Sequence, residues 1–214
     1  MREPDPPRRR DPEATRARIL AAATQEFTRY GYAGARGDRI ALRARCSDRM
    51  VYYYFGSKEG LFREVLEGVY EALRLAEQGL DLDRLAPREA LRSFCRFVWR
   101  YYLEHPEFIG LVNSENLQQA RHLRKSGKLG ELVTPVVGML ESLLARGRAA
   151  GVFRDGIDAT ELYIAIAALG YFYLSNAHTL SAVLGRELRA PGQLELHWQQ
   201  SALVIERAVC VEAD

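Results

Sequence analysis

The stretch from residue 36 to residue 55 constrains the fold most, because it predicts two short helices joined by a tight turn. The first helix covers about residues 37–44, with Ile40 and Ala44 facing inward. The turn is residues 45–47, and the second helix covers about residues 48–54. Ser47 stands at its N-cap, where a hydroxyl can accept from the free N–H groups of the first turn. Helices this short are not stable alone, so neighbouring helices must hold them.

The second short helix carries an outer face of hydrogen-bonding side chains. Met50 and Val51 can turn inward, while the remaining surface is crowded with polar aromatic residues and an arginine, namely Arg49, Tyr52, Tyr53 and Tyr54. A rigid helix with guanidinium and hydroxyl groups near its start is suited to the major groove of DNA. The pattern therefore predicts a helix-turn-helix.

Four segments resemble the N-terminal domain of the TetR family of bacterial transcriptional regulators: residues 19–32, 38–41, Ser47 and 51–61. The matching spacing runs without gaps over residues 19–61, within a domain of about residues 13–65. The resemblance implies a dimeric, ligand-responsive regulator, most simply a repressor that a small molecule releases from a palindromic operator. Two residues depart from the family pattern. Arg45 stands where a glycine usually makes the turn, and Gly37 where a branched apolar residue usually packs.

Six residues are the predicted DNA contacts. We assign Arg36 and Tyr52 to phosphates, and Arg49 and Tyr53 to the groove, where Arg49 can pair with guanine O6 and N7. Tyr54 is also assigned to a phosphate. The resemblance implies a phosphate contact for Lys58 as well.

The distribution of charge agrees with a nucleic-acid-binding module at the N-terminus. Residues 1–60 carry 13 Lys and Arg against 8 Asp and Glu, whereas residues 61–214 carry 17 against 20. A basic segment attached to a mildly acidic body is the electrostatic footprint of such a module. The predicted domains are a disordered basic arm at 1–12, the helix-turn-helix domain at 13–57 and a helical ligand-binding and dimerisation domain at 58–214.

Apolar residues at helical spacing, in long stretches without proline, predict an all-α fold. Three cysteines, at 46, 95 and 210, lie far apart and form no metal-binding or disulfide pattern. We therefore expect no metal, no cofactor and a reducing, cytoplasmic location. The longest apolar run, residues 162–174, is too short to span a bilayer, so no membrane contact is expected.

The helix at 58–77 is predicted to link the helix-turn-helix to the body and to act as a lever. Further helices are expected at 87–104, within 106–124, at 128–149, 158–184 and 192–210. A ligand pocket is expected among the helices of residues 87–184, and we interpret Asn113, Asn116 and His122 as lying near one helical face. The other predicted ligand-binding residues are aromatic, namely Trp99, Tyr102, Phe108 and Tyr171.

The helix at 158–184 is apolar nearly all round, so we expect one side to face the body and the other a second copy. Two helices from each subunit would form a four-helix interface. The predicted interface residues are Ile166, Phe172, His178, Trp198 and Leu203.

Two alternatives remain open at this stage. An all-α enzyme or haem protein would have to use scattered histidines and Cys95, none of which are paired at ligand spacing. A helical ligand-binding dimer with weakened DNA binding is the second alternative, because Gly37 and Arg45 depart from the family pattern.

Overall fold

The computed structural model describes residues 11–211, except for the side chains of residues 129–133. The predicted disordered arm therefore lies outside the described residues apart from Asp11 and Pro12, which start the first helix. The all-α prediction is confirmed. The helices are α1 (Pro12–Gly34), α2 (Gly37–Ala44), α3 (Asp48–Phe55), α4 (Lys58–Gln78), α5 (Pro87–Glu104), α6 (Pro106–Leu117), α7 (Leu129–Ala149), α8 (Ala159–Ser175), α9 (Ala177–Leu184) and α10 (Pro191–Val209), with 3₁₀ turns at Leu82–Arg84 and Leu123–Lys125.

Local signals explain the helix boundaries. The Asp11 side chain accepts hydrogen bonds from the N–H groups of Glu13 and Ala14, at 3.0 and 3.3 Å. Ser57 caps α4 in the same way, through a 3.0 Å bond from the Gly60 N–H. Proline occupies the first turn of α5, α6 and α10, where no N–H is needed.

One of the predicted boundaries is wrong, and a glycine interrupts the first helix. At Gly31 the chain leaves helical geometry, with a φ of +65°, and a short helical stretch resumes to Gly34. The helix predicted over 158–184 is broken at Asn176, whose φ and ψ of −106° and 6° separate α8 from α9. The Asn176 amide also donates to the Phe172 carbonyl at 2.9 Å, which satisfies an acceptor at the end of α8.

The buried side chains form two hydrophobic clusters. The first belongs to a head made of α1, α2, α3 and the first half of α4, and is centred on Ile19, Phe27 and Phe62. The second fills the body between α4, α5, α7, α8 and α10. Leu111 of α6 is buried in the head cluster although it belongs to the body in sequence. The head is therefore packed against α6 as well as joined to α4.

A close contact inside the body gives a direct test of the packing. A Cβ built on Gly147 of α7 would lie 1.8 Å from Phe153 Cδ2, whereas one built on Gly138 of the same helix meets nothing within 4 Å. Gly147→Ala should lower the free energy of unfolding by about 1–3 kcal/mol, because the ring of Phe153 has to move. Gly138→Ala should raise it by up to about 1 kcal/mol through helix propensity.

Both variants should be unfolded in urea beside the wild-type chain at one protein concentration. Equal stabilisation by the two alanines would show that Phe153 does not lie against Gly147.

Candidate DNA interface and ligand-binding region

The turn between α2 and α3 closes through backbone hydrogen bonds. The Cys46 N–H donates to the Ala41 carbonyl at 3.0 Å and the Arg45 N–H to the Leu42 carbonyl at 3.2 Å. Arg45 itself has a φ of +53° and a ψ of 48°, the left-handed conformation that favours glycine. A non-glycine residue there costs about 1–2 kcal/mol. Ser47 is the N-cap of α3 as predicted, but its side chain makes no capping bond.

The predicted reading face of α3 is exposed. Arg49 lies open to solvent, and Tyr52 and Tyr53 are 50% and 81% exposed. Tyr54 is half-buried and its ring contacts Phe55, at 6.3 Å between centroids. Val51 and Phe55 anchor the opposite face in the head cluster. Short as it is, α3 is thus held rigidly while its polar face stays free.

Gly37 lies beside Tyr52 of α3. A Cβ built on Gly37 would lie 3.4 Å from the Tyr52 hydroxyl, an ordinary contact distance. The position therefore has room for a side chain, which would contact Tyr52.

The two basic residues assigned to phosphates are already engaged. Arg36 forms a two-bond pair with Asp38, at 3.1 and 2.7 Å, and this pairing raises the pKa of the guanidinium. The Lys58 ammonium lies 3.5 Å from the Ala33 carbonyl and 4.9 Å from the Tyr32 ring centroid. Partial burial lowers the pKa of Lys58.

The sequence analysis missed a buried carboxylate that organises the head. Glu26 of α1 is 1% exposed. Its Oε1 accepts from the Arg36 N–H at 3.2 Å and from Arg39 Nε at 2.6 Å. Glu26 thereby fixes the start of α2 to α1. Its position directly before Phe27, on the inward face of the helix, was the available signal.

The predicted ligand-binding residues do not form one group. Trp99 lines a cavity of about 20 Å³ with Gly170 and Trp198. Tyr102 stacks on Phe108, with ring centroids 5.6 Å apart and an angle of 12°. The three predicted residues Trp99, Tyr102 and Phe108 are all buried in the body cluster.

Three polar members of the set meet at a different place, between α6 and α8. The Tyr171 hydroxyl donates to Asn113 Oδ1 and accepts from Asn116 Nδ2, the latter at 3.4 Å. This part of the prediction, that the two amides share a helical face, agrees with the structure.

The placement of His122 on that face is wrong. The helix ends at Leu117, and Gln119 and Ala120 turn the chain with φ values of +55° and +58°. His122 is therefore fully buried against the head, 4.4 Å from the Tyr32 ring and 4.9 Å from the Phe62 ring. Its Nδ1 lies 2.7 Å from Oε2 of Glu115.

The set of predicted interface residues also needs correction. Ile166 and Trp198 are 5% and 3% exposed and pack inside the chain. Phe172 and Leu203 are 59% and 46% exposed, and His178 is exposed as well. Other large apolar side chains of α8 and α10 share that exposure, namely Ile164, Leu196 and Val204.

The described residues contain no group of three or more metal-binding side chains, and none of their helices is long and apolar enough to cross a bilayer.

Comparison with known proteins agrees with this architecture. Residues 19–65 match the family model of bacterial regulatory proteins of the tetR family, and residues 87–205 match that of the Tetracyclin repressor-like C-terminal domain. This chain belongs to the TetR family.

Relatives and solved structures extend the match over most of the chain. The chain is 46% identical to the HTH-type transcriptional repressor NicS of Pseudomonas putida over 186 residues, 87% of each chain. It is 34% identical to the HTH-type transcriptional repressor SCO4008 of Streptomyces coelicolor, over 75% of this chain and 78% of that one. The crystal structure of the regulator SCO4942 from Streptomyces coelicolor superposes with a TM-score of 0.68 and 26% identity, over 91% of this chain and 98% of that one. The chain is thus a helix-turn-helix transcriptional regulator, and the relatives named here are regulators rather than enzymes.

Proposed function

We propose that this TetR-family chain is a dimeric repressor, without enzymatic activity, that a small molecule releases from a palindromic operator. The observation that carries the proposal is the exposed polar face of α3 on a head that has its own core. Arg49, Tyr52 and Tyr53 are free to meet base edges and phosphates. Two relatives named as transcriptional repressors support the direction of regulation.

The domain limits of the proposal follow the packing. Residues 13–57 form the DNA-binding domain and residues 58–214 the ligand-binding and dimerisation domain, with the first half of α4 completing the core of the head. In the ligand switch, a small molecule binds the body and shifts α4, and the two reading helices lose their spacing. The ligand must favour the released form, with a coupling free energy of roughly 1–3 kcal/mol.

Fluorescence anisotropy on a library of palindromic duplexes tests the proposal. Selection of one palindrome, with affinity that falls steeply between two salt concentrations, is the expected result because phosphate contacts release counterions. Weak binding that is equal on every duplex would contradict operator recognition.

The two basic contacts should behave differently when removed. Arg49→Ala should cost about 1–3 kcal/mol of operator affinity and relax the sequence preference, because a base contact is lost. Lys58→Ala should weaken binding on every sequence and flatten the salt slope, because a phosphate contact is lost. Arg100→Ala, an exposed arginine of α5 paired with Glu104, is the matched control.

These effects are measured as operator and non-operator affinities at two salt concentrations. Equal losses from Arg49→Ala and Lys58→Ala, with the preference unchanged, would contradict the two roles.

The dimer interface is proposed to be the exposed apolar face of α8 and α10. The residues retained from the predicted set are Phe172, His178 and Leu203. An apolar face of this kind is a protein-interaction surface rather than an ordinary monomer surface. A dimer also matches the spacing of successive major grooves, about 34–36 Å.

Leu203→Glu should convert the dimer to monomer, since a charge would be buried without a partner. The control is Leu42→Glu, an exposed leucine of α2 in the head. Sedimentation equilibrium gives the dissociation constant of each variant. A wild-type chain that is monomeric at micromolar concentration would rule out the interface.

A ligand-binding dimer with weakened DNA binding is the second candidate, favoured by the left-handed conformation of Arg45. If it holds, Arg45→Gly should gain operator affinity by relieving about 1 kcal/mol or more of strain in the reading head. Arg43→Gly, on the exposed side of α2, serves as a control because it removes a charge without relieving the turn. No gain from Arg45→Gly would dismiss this candidate.

A further inference from the structure

A buried ion pair that has no role in the proposed DNA binding lies inside the body, on the inner face of α4. The side chains of Arg74 and Glu77 are each 5% exposed, and Arg74 Nη1 lies 2.7 Å from Glu77 Oε2. The apolar register of α4, through Leu66, Val69 and Leu73, carries both residues inward. Buried charge is costly unless every polar atom is satisfied, so the remaining contacts of the pair are informative.

The pair is incompletely satisfied among the described residues. Arg74 Nη2 donates to the Tyr163 hydroxyl of α8 at 3.0 Å. Arg74 Nε and Nη1 and Glu77 Oε1 have no hydrogen-bond partner, and the short contact between Nη1 and Oε2 is not aligned as a hydrogen bond. Two N–H donors of the guanidinium, on Nε and Nη1, thus lack an aligned acceptor in a dry site. They point to different sides of the group, so an incoming carboxylate would take the place of Glu77 at Nη1 rather than bridge both donors.

The surroundings of the pair are aromatic. The ring centroid of Phe108 lies 5.3 Å from that of Tyr70 and 5.6 Å from that of Tyr102. The Arg74 guanidinium carbon lies 5.6 Å from the ring centroid of Tyr163. Burial raises the pKa of Tyr70 to about 12 and raises that of Tyr102 as well, so both phenols stay protonated at neutral pH. Protonated phenols and flat rings suit an aromatic ring that bears one anionic group.

We propose that Arg74 is the recognition residue for the effector, and that the effector is a small aromatic monocarboxylate which replaces Glu77 as the partner of the guanidinium. The inference rests on the ligand switch proposed above for its effect on DNA. A single negative charge fits better than two, because Arg74 is the one buried arginine among the described side chains and excess buried charge is costly. Glu77 would take up a proton as the ligand carboxylate arrives, which keeps the site neutral.

The ionisation of Glu77 agrees with this exchange. Burial raises the pKa of Glu77 to about 7, against the opposing effect of Arg74. Tyr101 and Tyr102 on α5 also lie near Glu77, while the Tyr163 hydroxyl of α8 accepts from Arg74 Nη2. A carboxyl with a pKa near neutral readily takes up a proton from solvent when a second anion comes close, because the like charge raises its pKa further.

The site is closed, because both side chains of the pair are only 5% exposed. The small cavity beside Trp99, of about 20 Å³, lies between α5, α8 and α10 and has no residue of α4 in its lining, so it offers the ligand no room beside Arg74. The ligand must therefore separate α4, α5 and α8 as it binds. Since α4 carries the head, the same separation would displace the reading helices.

Calorimetric titration of the full-length free protein tests the proposal, with benzoate, phenylacetate and 4-hydroxybenzoate as probes and benzamide as the uncharged control. At least one acid should bind and benzamide should not. Its affinity should fall by up to about tenfold per pH unit above pH 7, where Glu77 is ionised and must take up a proton. Binding by benzamide as tight as by the acids, or no binding by any acid up to its solubility limit, would overturn the proposal.

Three variants separate recognition from folding. Glu77→Gln removes the internal competitor, so it should bind the acid roughly tenfold more tightly at pH 8 and lose the pH dependence. The double variant Arg74→Gln with Glu77→Gln leaves no buried charge, so it should fold and lose at least about tenfold in affinity. Arg100→Gln, an exposed arginine of α5, should bind like the wild type.

Circular dichroism and thermal unfolding show whether each variant is folded. A folded double variant that keeps wild-type affinity would reject Arg74 as the recognition residue.

Operator release is measured in a separate titration, so the two proposals fail independently. Acid binding that depends on Arg74 but never changes operator affinity would uphold this site and reject the ligand switch. Release by uncharged compounds alone would uphold the switch and reject this site.

Discussion

The buried contact between Glu115 and His122 holds the two parts of the molecule together. Oε1 of Glu115 accepts from the backbone N–H groups of His122 and Leu123, at 2.8 and 2.9 Å, while Oε2 faces the imidazole at 2.7 Å. These bonds fix the chain after α6 so that the imidazole packs on Tyr32 and Phe62 of the head. The Tyr32 N–H in turn donates to Ser114 Oγ at 2.8 Å. The head is therefore fixed to the body at α6 as well as through α4, and the lever expected from the sequence is only half of the connection.

The elements that sequence reasoning predicted well are those whose ends carry local signals. The limits of α5 follow from Pro87 at its start and from Pro106 two residues beyond its end, and the turn before α3 follows from the match of residues 36–55 to a helix-turn-helix. The break at Asn176 has no such signal, because α8 and α9 are both apolar and neither glycine nor proline separates them. The same lack of a local signal explains why His122 was placed wrongly. The prediction continued the helix through Gln119 and Ala120, although both residues take up a left-handed conformation in the structure. Neither is a glycine, so nothing in the sequence indicated that turn.

The DNA-binding face was predicted better than the interface and the buried ion pair, because only the latter two depend on packing against distant helices. The face of α3 is exposed in the folded chain and its residues could be taken from the helical pattern alone. Which side of α8 faces the body is decided by distant partners, such as the packing of Trp99 and Trp198 around Gly170, so Ile166 could not be separated from Phe172 by sequence. Arg74 and Glu77 lie in the register of the inward face, yet charged residues are seldom fully buried, and only the surrounding helices show that these two are.

The two buried polar pairs have a consequence for how the molecule changes state. Glu115 with His122 joins the head to α6, and Arg74 with Glu77 lies on α4 further into the body. Removing one partner from a buried pair costs several kcal/mol, so neither contact can stretch gradually while its neighbours move. Each pair therefore either keeps its contact or exchanges one member for a new partner. A ligand that exchanges for one member of a pair avoids the cost of an unpaired charge, and this favours two discrete arrangements of α4 over a continuous range. Interfaces that behave in this way can convert a small displacement in the body into a defined change in the position of the head.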